Sequence, residues 1–145
     1  MANGFYQQGM KHFARGNIAW IADASPTSAE NDAIRTALVD AADYTVDLAT
    51  HEFRDAAGLA AGIEETSGLM VLVDAAADGI VDASDVVFTG TTGDPCEGIL
   101  VYQDEGSAAA DRLLFWWDSA SGLPVTLGGD VTVQWDNGAN KIAKI

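Results

Sequence analysis

The sequence predicts a mainly β domain, an antiparallel sandwich or small barrel, with a short N-terminal amphipathic helix in front of it. Three observations carry that expectation. The chain has 145 residues of which 48% are hydrophobic, enough apolar side chain for one real core. From Gly62 onward, short apolar runs are punctuated by Gly, Asp, Asn and Ser, the spacing of strands joined by tight turns. The first sixteen residues instead show a helical period closed by a glycine. Residues 1–145 therefore read as a single domain, with residues 1–16 a helix and candidate docking arm and residues 34–145 the β domain.

Taken in order, Gly4 to Arg15 sets Phe5, Met10 and Phe13 at spacings that fit one helical face, and Gly16 stops it. Asn17 to Ile21 is a small apolar element with Trp20, and Ser25-Pro26-Thr27-Ser28 is an exposed turn. Ile34 to Val39 is a strand. Residues 48–57, where Thr50, Glu52 and Asp55 surround Phe53 and Gly58 follows, predict a second short helix. The later strands are Leu69–Val73, Gly79–Val81, Val86–Thr89, Gly98–Gln103, Arg112–Asp118, Val131–Trp135 and Lys141–Ile145. Asp136-Asn137-Gly138 is a tight-turn signal, which predicts that Ala139 to Ile145 folds back antiparallel on Val131–Trp135.

Charge is unevenly placed. Seven bases against 22 acids give −15. From Asp55 to Asn140 fifteen acids face one base, Arg112, whereas Lys11 and Arg15 near the start and Lys141 and Lys144 at the end have no acid beside them. A body this acidic repels phosphate backbones and anionic headgroups, so nucleic acid and membrane are not expected partners. The longest apolar stretches fall far short of the roughly 20 residues a membrane helix needs. The start shows no apolar segment with a small-residue cleavage site, and folding in the cytosol is expected. The acidic body either simply maintains solubility or makes a polarised molecule whose basic ends dock on an acidic surface.

Little in the sequence predicts catalysis. Cys96 follows Pro95, lacks a second cysteine to pair with, and reads as structural; His12 and His51 read as surface residues without a nucleophile signature. The run Asp74, Asp78, Asp82, Asp85 lacks the alternate-position ligand order of a calcium loop and reads as solvated turn carboxylates. Glu64-Glu65 and Asp104-Glu105 are adjacent pairs, which point to opposite faces of a strand and make no acid/base pair. Gly128-Gly129 has no phosphate-loop context. No catalytic residue, cofactor or metal site is expected. Trp116-Trp117 must place one indole on each face of its strand. One is core; the other is either covered by the N-terminal helix or offered to a partner.

A resemblance runs through these segments. Ile34-Arg35-Thr36-Ala37-Leu38-Val39-Asp40, Ala49-Thr50-His51-Glu52-Phe53 and Gly79 to Phe88 are similar to segments of small structural proteins encoded in the head gene clusters of tailed bacteriophages. Glu97 to Asp104, Arg112 to Asp118, Gly122 to Thr126, Gly129 to Val133 and Trp135 to Gly138 extend it from Phe5 to Ile145. The polar stretch Ser25 to Asn31 departs from the family pattern. The resemblance implies a capsid decoration or minor capsid protein, made in the bacterial cytoplasm and placed on the outside of the virion. Its partners would be the major capsid protein and further copies of itself, with a trimer as the expected closure. The residues expected at those interfaces are Phe5, Tyr6, Phe13 and Trp20 as aromatic anchors, Lys11 and Arg15 at the rim, and Trp116 and Trp117. The helix has a second reading, a cap on the open edge of its own sheet. Two other functions are compatible with these features: a tail or tail-tip protein using the tryptophans and acidic loops on a host surface, and, less favoured, a carboxylate hydrolase, which requires a pocket with two perturbed carboxylates that the sequence does not foreshadow.

Overall fold

The computed structural model describes residues 3–20, 33–73, 79–139 and 141–145. The chain runs β1 (Gly4–Phe5), α1 (Gln7–Ala14), β2 (Ile34–Val39), α2 (Leu59–Gly62), β3 (Ile63–Thr66), β4 (Leu72–Val73), β5 (Ile80–Ala83), β6 (Val86–Phe88), β7 (Gly98–Gln103), β8 (Arg112–Trp117), β9 (Val131–Val133) and β10 (Ala143–Lys144). It is mainly β, sandwich-like, with two short helices. A five-stranded antiparallel sheet in the order β1-β8-β7-β2-β3 is accompanied by a three-stranded sheet β10-β5-β4 and a two-stranded one, β6-β9.

The central strands explain the fold. β7 (Gly98–Gln103) is buried at every position, so both faces of the large sheet are covered. Ile99 and Val101 point into one core with Ile34, Leu38 and Phe115, closed by Val81, Phe88, Val133 and Ile142 from the smaller sheets. Leu100 and Tyr102 point the other way, into a core with Ala37, Val39, Leu113 and Trp116 that Tyr6, Tyr44 and Leu59 complete. The second layer is thus largely irregular chain from the N-terminus and residues 44–59.

Several elements differ from expectation, each for a local reason. Residues 48–57 form turns, and the second helix is α2 at Leu59–Gly62. The Asp47 carboxylate accepts the amides of Ala49 and Thr50 and the Thr50 hydroxyl, a side-chain turn that competes with helical bonding. Gly4–Phe5 leaves the helix and pairs with Trp116 and Phe115. β3, with two glutamates and no apolar run, had no signal of its own and is fixed by pairing with β2. The expected hairpin after Val131–Trp135 does not form. β9 pairs with β6, and Ala143–Lys144 pairs with Val81–Ile80, because Ile142 and Ala143 are buried against the first core only in that position. Ile21, the Ser25–Ser28 turn, Asn31, Asp74 and Asp78 lie outside the described residues.

One ion pair links the large sheet to the chain leaving β3. Arg35 on β2 bonds the Asp104 carboxylate and also donates to the Ser67 carbonyl at 2.9 Å. That bond, with the Gly106 amide, holds the Asp104 carboxyl below its ordinary value of 3.8. Because the folded pKa is the lower one, the contribution is complete above the ordinary value and lost as pH falls through the folded one. Thermal melts from about pH 6 down to about pH 3 should therefore decline less steeply for Asp104→Asn than for the wild type. Equal slopes would show that the pair contributes nothing.

Candidate docking surface

Helix α1 lies along the outer side of β8. Its approach depends on Gly9, where a Cβ would stand 2.2 Å from the Leu113 carbonyl oxygen. A β-bulge helps. Val101 pairs with Phe115 and Tyr102 with Leu113, so Leu114 is passed over and its carbonyl accepts the Tyr6 amide at 3.0 Å. From that anchor the helix turns Met10 and Phe13 toward the first core and exposes Gln7, Lys11, Ala14 and Arg15. The cap on the molecule's own sheet edge is the arrangement observed.

The expected interface residues separate accordingly. Tyr6 is fully buried and Trp116 nearly so; both belong to the second core and face no partner. Phe13 and Trp20 are half-buried on Phe115, with ring centroids 6.3 and 5.9 Å away, and the Trp20 indole donates to the Asp82 carbonyl at 2.8 Å. Trp117, half-buried, packs on Trp135 at 5.4 Å. Phe5 meets Phe115 edge-on at 5.4 Å yet stays 37% exposed. Of the eight, Phe5, Lys11 and Arg15 are the ones presented to solvent.

His12 is not a surface group, and His51 is partly buried. His12 is buried, with Nε2 2.7 Å from a Glu52 oxygen and Nδ1 3.1 Å from the Asn17 amide nitrogen. The Asn17 side-chain N–H donates to Nδ1, so Nε2 is the ring nitrogen that donates to Glu52. His51 ends a second chain. Its Nδ1 accepts the Asp47 amide, so the Tyr44 hydroxyl donates to it at 2.7 Å and accepts from Tyr6 at 3.1 Å. Burial raises the pKa of both tyrosines above the ordinary range, and these hydroxyls act as structural hydrogen-bond links. Neither network was legible in the sequence, because partners 38 to 40 residues apart leave no local spacing signal.

The cations give the surface its character. Arg35, Arg54 and Arg112 are each paired with a carboxylate, Asp104, Asp111 and Glu105 respectively. Lys11, Arg15, Lys141 and Lys144 have no carboxylate partner among the described residues; Lys11 bonds only Gln8. These four lie on the two chain ends, and the ends meet. Asn3, Gly4 and Phe5 share with Ile142 and Ala143 a hollow of about 200 Å³, floored by Phe115 and Trp117. Residues of both terminal segments therefore flank Trp117.

Elsewhere the chemistry is sparse. Burial, reinforced by Glu64, Glu97, Asp40 and Glu65, pushes the Cys96 thiol up to about 12, so it stays protonated and is a weak nucleophile. A groove of about 600 Å³ between residues 120–126 and 130–134 has Asp130 as its sole titratable lining residue, and that carboxylate accepts the Gly90 amide. Asp40, Asp43 and Glu64 bring carboxylate oxygens within 4.8 Å of one another, a grouping the sequence reading missed. Backbone amides already engage two of them, Ala42 on Asp40 and Asp94 on Glu64. Asp82 and Asp85 accept the amides of Ala83 and Trp135. In comparisons with known proteins, the chain matches no family model and no curated protein.

Proposed function

We propose that the protein is a structural virion component, a decoration or minor capsid protein on the outside of a tailed-phage head, with a binding rather than a catalytic role. The observation that supports this reading is that the four cations without a carboxylate partner among the described residues all lie in the two terminal segments, whose residues 3–5 and 142–143 line one hollow with a partly exposed Phe5, in a molecule of net charge −15. Such a molecule docks its basic end on an acidic lattice and leaves an acidic, soluble body outward. The resemblance across residues 5–145 supplies the identity of the lattice. Many copies on a repeating surface gain avidity without further contacts.

Immunogold labelling of purified virions tests the location. Dense label over heads supports decoration, label confined to tails supports host-surface recognition instead, and unlabelled particles overturn a virion role. Lys11→Glu combined with Arg15→Glu should lower occupancy on heads by on the order of tenfold at low salt and by less at high salt. Unchanged occupancy would remove the helix from the docking surface.

A further inference from the structure

The groove of about 600 Å³ beside β9 runs along a strand edge. Asp130, Val131, Thr132, Val133 and Gln134 all line it. Consecutive residues of a strand send their side chains to opposite faces, so five in a row share one groove only along the edge, where the backbone is common to all. β9 has β6 on one side and no strand on the other among the described residues. The Trp135 amide turns to the β6 side, where the Asp85 carboxylate accepts it at 3.0 Å. Bonding sides alternate along an antiparallel strand, so Val133 and Val131 turn the same way, and the Thr132 amide and carbonyl between them turn toward the groove. Opposite this edge stands the 120–126 segment, pinned by mutual backbone bonds of 2.9 and 2.8 Å between Cys96 and Val125. Leu38 and Ile99, a cross-strand pair of the large sheet, form the floor. No lining residue neighbours an undescribed one in sequence.

We propose that this groove takes an extended segment of a partner protein, which adds to β9 as a further strand between it and residues 120–126. A strand edge presents amides and carbonyls that another extended backbone matches, and the walls beside it read alternate side chains. Size sets the length. An extended residue occupies roughly 160 Å³, from a rise of about 3.3 Å, a strand spacing of about 4.8 Å and a layer spacing of about 10 Å, so the groove holds about four residues. Charge sets the composition. Asp130 is the sole titratable lining residue, and it stands in a molecule of net charge −15, so an acidic segment is repelled and a Lys or Arg beside Asp130 is drawn in. Buried Leu38, Ile99 and Val133 call for apolar side chains at alternate positions of the segment. The inference does not depend on the capsid reading.

An array of random hexapeptides probed with the full chain tests it, followed by fluorescence anisotropy on the best peptide made in solution. Bound peptides should share apolar residues at alternate positions with a Lys or Arg at one end. Thr132→Pro removes the amide that faces the groove while leaving the bonds to β6, and it should raise the dissociation constant on the order of tenfold at unchanged circular dichroism. Asp130→Asn, whose side-chain oxygen can still accept the Gly90 amide, should weaken the same peptide several-fold and flatten its salt dependence; it stands in if the proline variant misfolds. An array without bound peptides, an acidic consensus, or binding indifferent to both substitutions overturns the proposal. A wild type that sediments as a dimer dissociated by Thr132→Pro would give the edge to a second copy and overturn it as well.

Discussion

Replacing Trp116 with alanine is expected to lower stability by roughly 3–5 kcal/mol, the cost of emptying a buried aromatic site that cannot collapse. The indole is 1% exposed, stands edge-on to Tyr44 at 5.6 Å and donates to the Asp118 carboxylate at 3.0 Å. Its ring lies so close over β7 that a Cβ on Gly98 would come within 2.1 Å of it. The surrounding walls are the sheet itself and the Tyr6–Tyr44 pair, neither of which can move inward without breaking its hydrogen bonds. Against a typical domain stability of about 5–15 kcal/mol this is a large fraction, and thermal melts should show a midpoint lowered by roughly 10–20 °C. A drop of only a few degrees would mean that the second core is softer than its burial indicates.

The second large effect is expected from Gly9→Ala. In an exposed helix the substitution would stabilise by about 1 kcal/mol. Here the added methyl meets the Leu113 carbonyl oxygen, which belongs to a strand held by β7 on one side and β1 on the other. The helix must therefore lift from β8. Its displacement disturbs the Tyr6 amide bond, the His12–Glu52 contact and the seat of Phe13 together, so the expected sign is reversed, with a loss of about 1–3 kcal/mol. Limited proteolysis should show early cleavage within residues 7–16, and a variant that melts at or above the wild-type temperature would refute the close approach.

How far the sequence announced all this depends on where each signal lies. β2 and β7 were readable to the residue because burial fixes their apolar positions, an alternating start followed by Ala37-Leu38-Val39 in β2 and the run Ile99 to Tyr102 in β7. β3 was not, since its residues Ile63–Thr66 gain strand conformation from a neighbour rather than from their own composition. The Asp136-Asn137-Gly138 turn was a sound local signal overruled by tertiary demand, for residues 142–144 pair with Ile80 and Val81 rather than with Val131–Trp135. The candidate surface was half legible. Lys11, Arg15, Lys141 and Lys144 stood out as bases away from acids, but that the two ends adjoin is a fact of topology. Tyr6 and Trp116 misled for a general reason, that aromatic side chains serve interfaces and cores alike.

The meeting of residues 3–5 with residues 142–143 also bears on how the molecule folds. Gly4 finds its strand partner at Trp116, more than a hundred residues later, and the Ile145 amide donates to the Gly79 carbonyl across a separation of 66 residues. Such pairings are distant in sequence, so folding proceeds at the slow pace of non-local topologies. Asn3 also holds the backbone of Asp118 and Ser119, so a label inserted in the exposed 119–122 turn would crowd the Asn3 side of the same hollow.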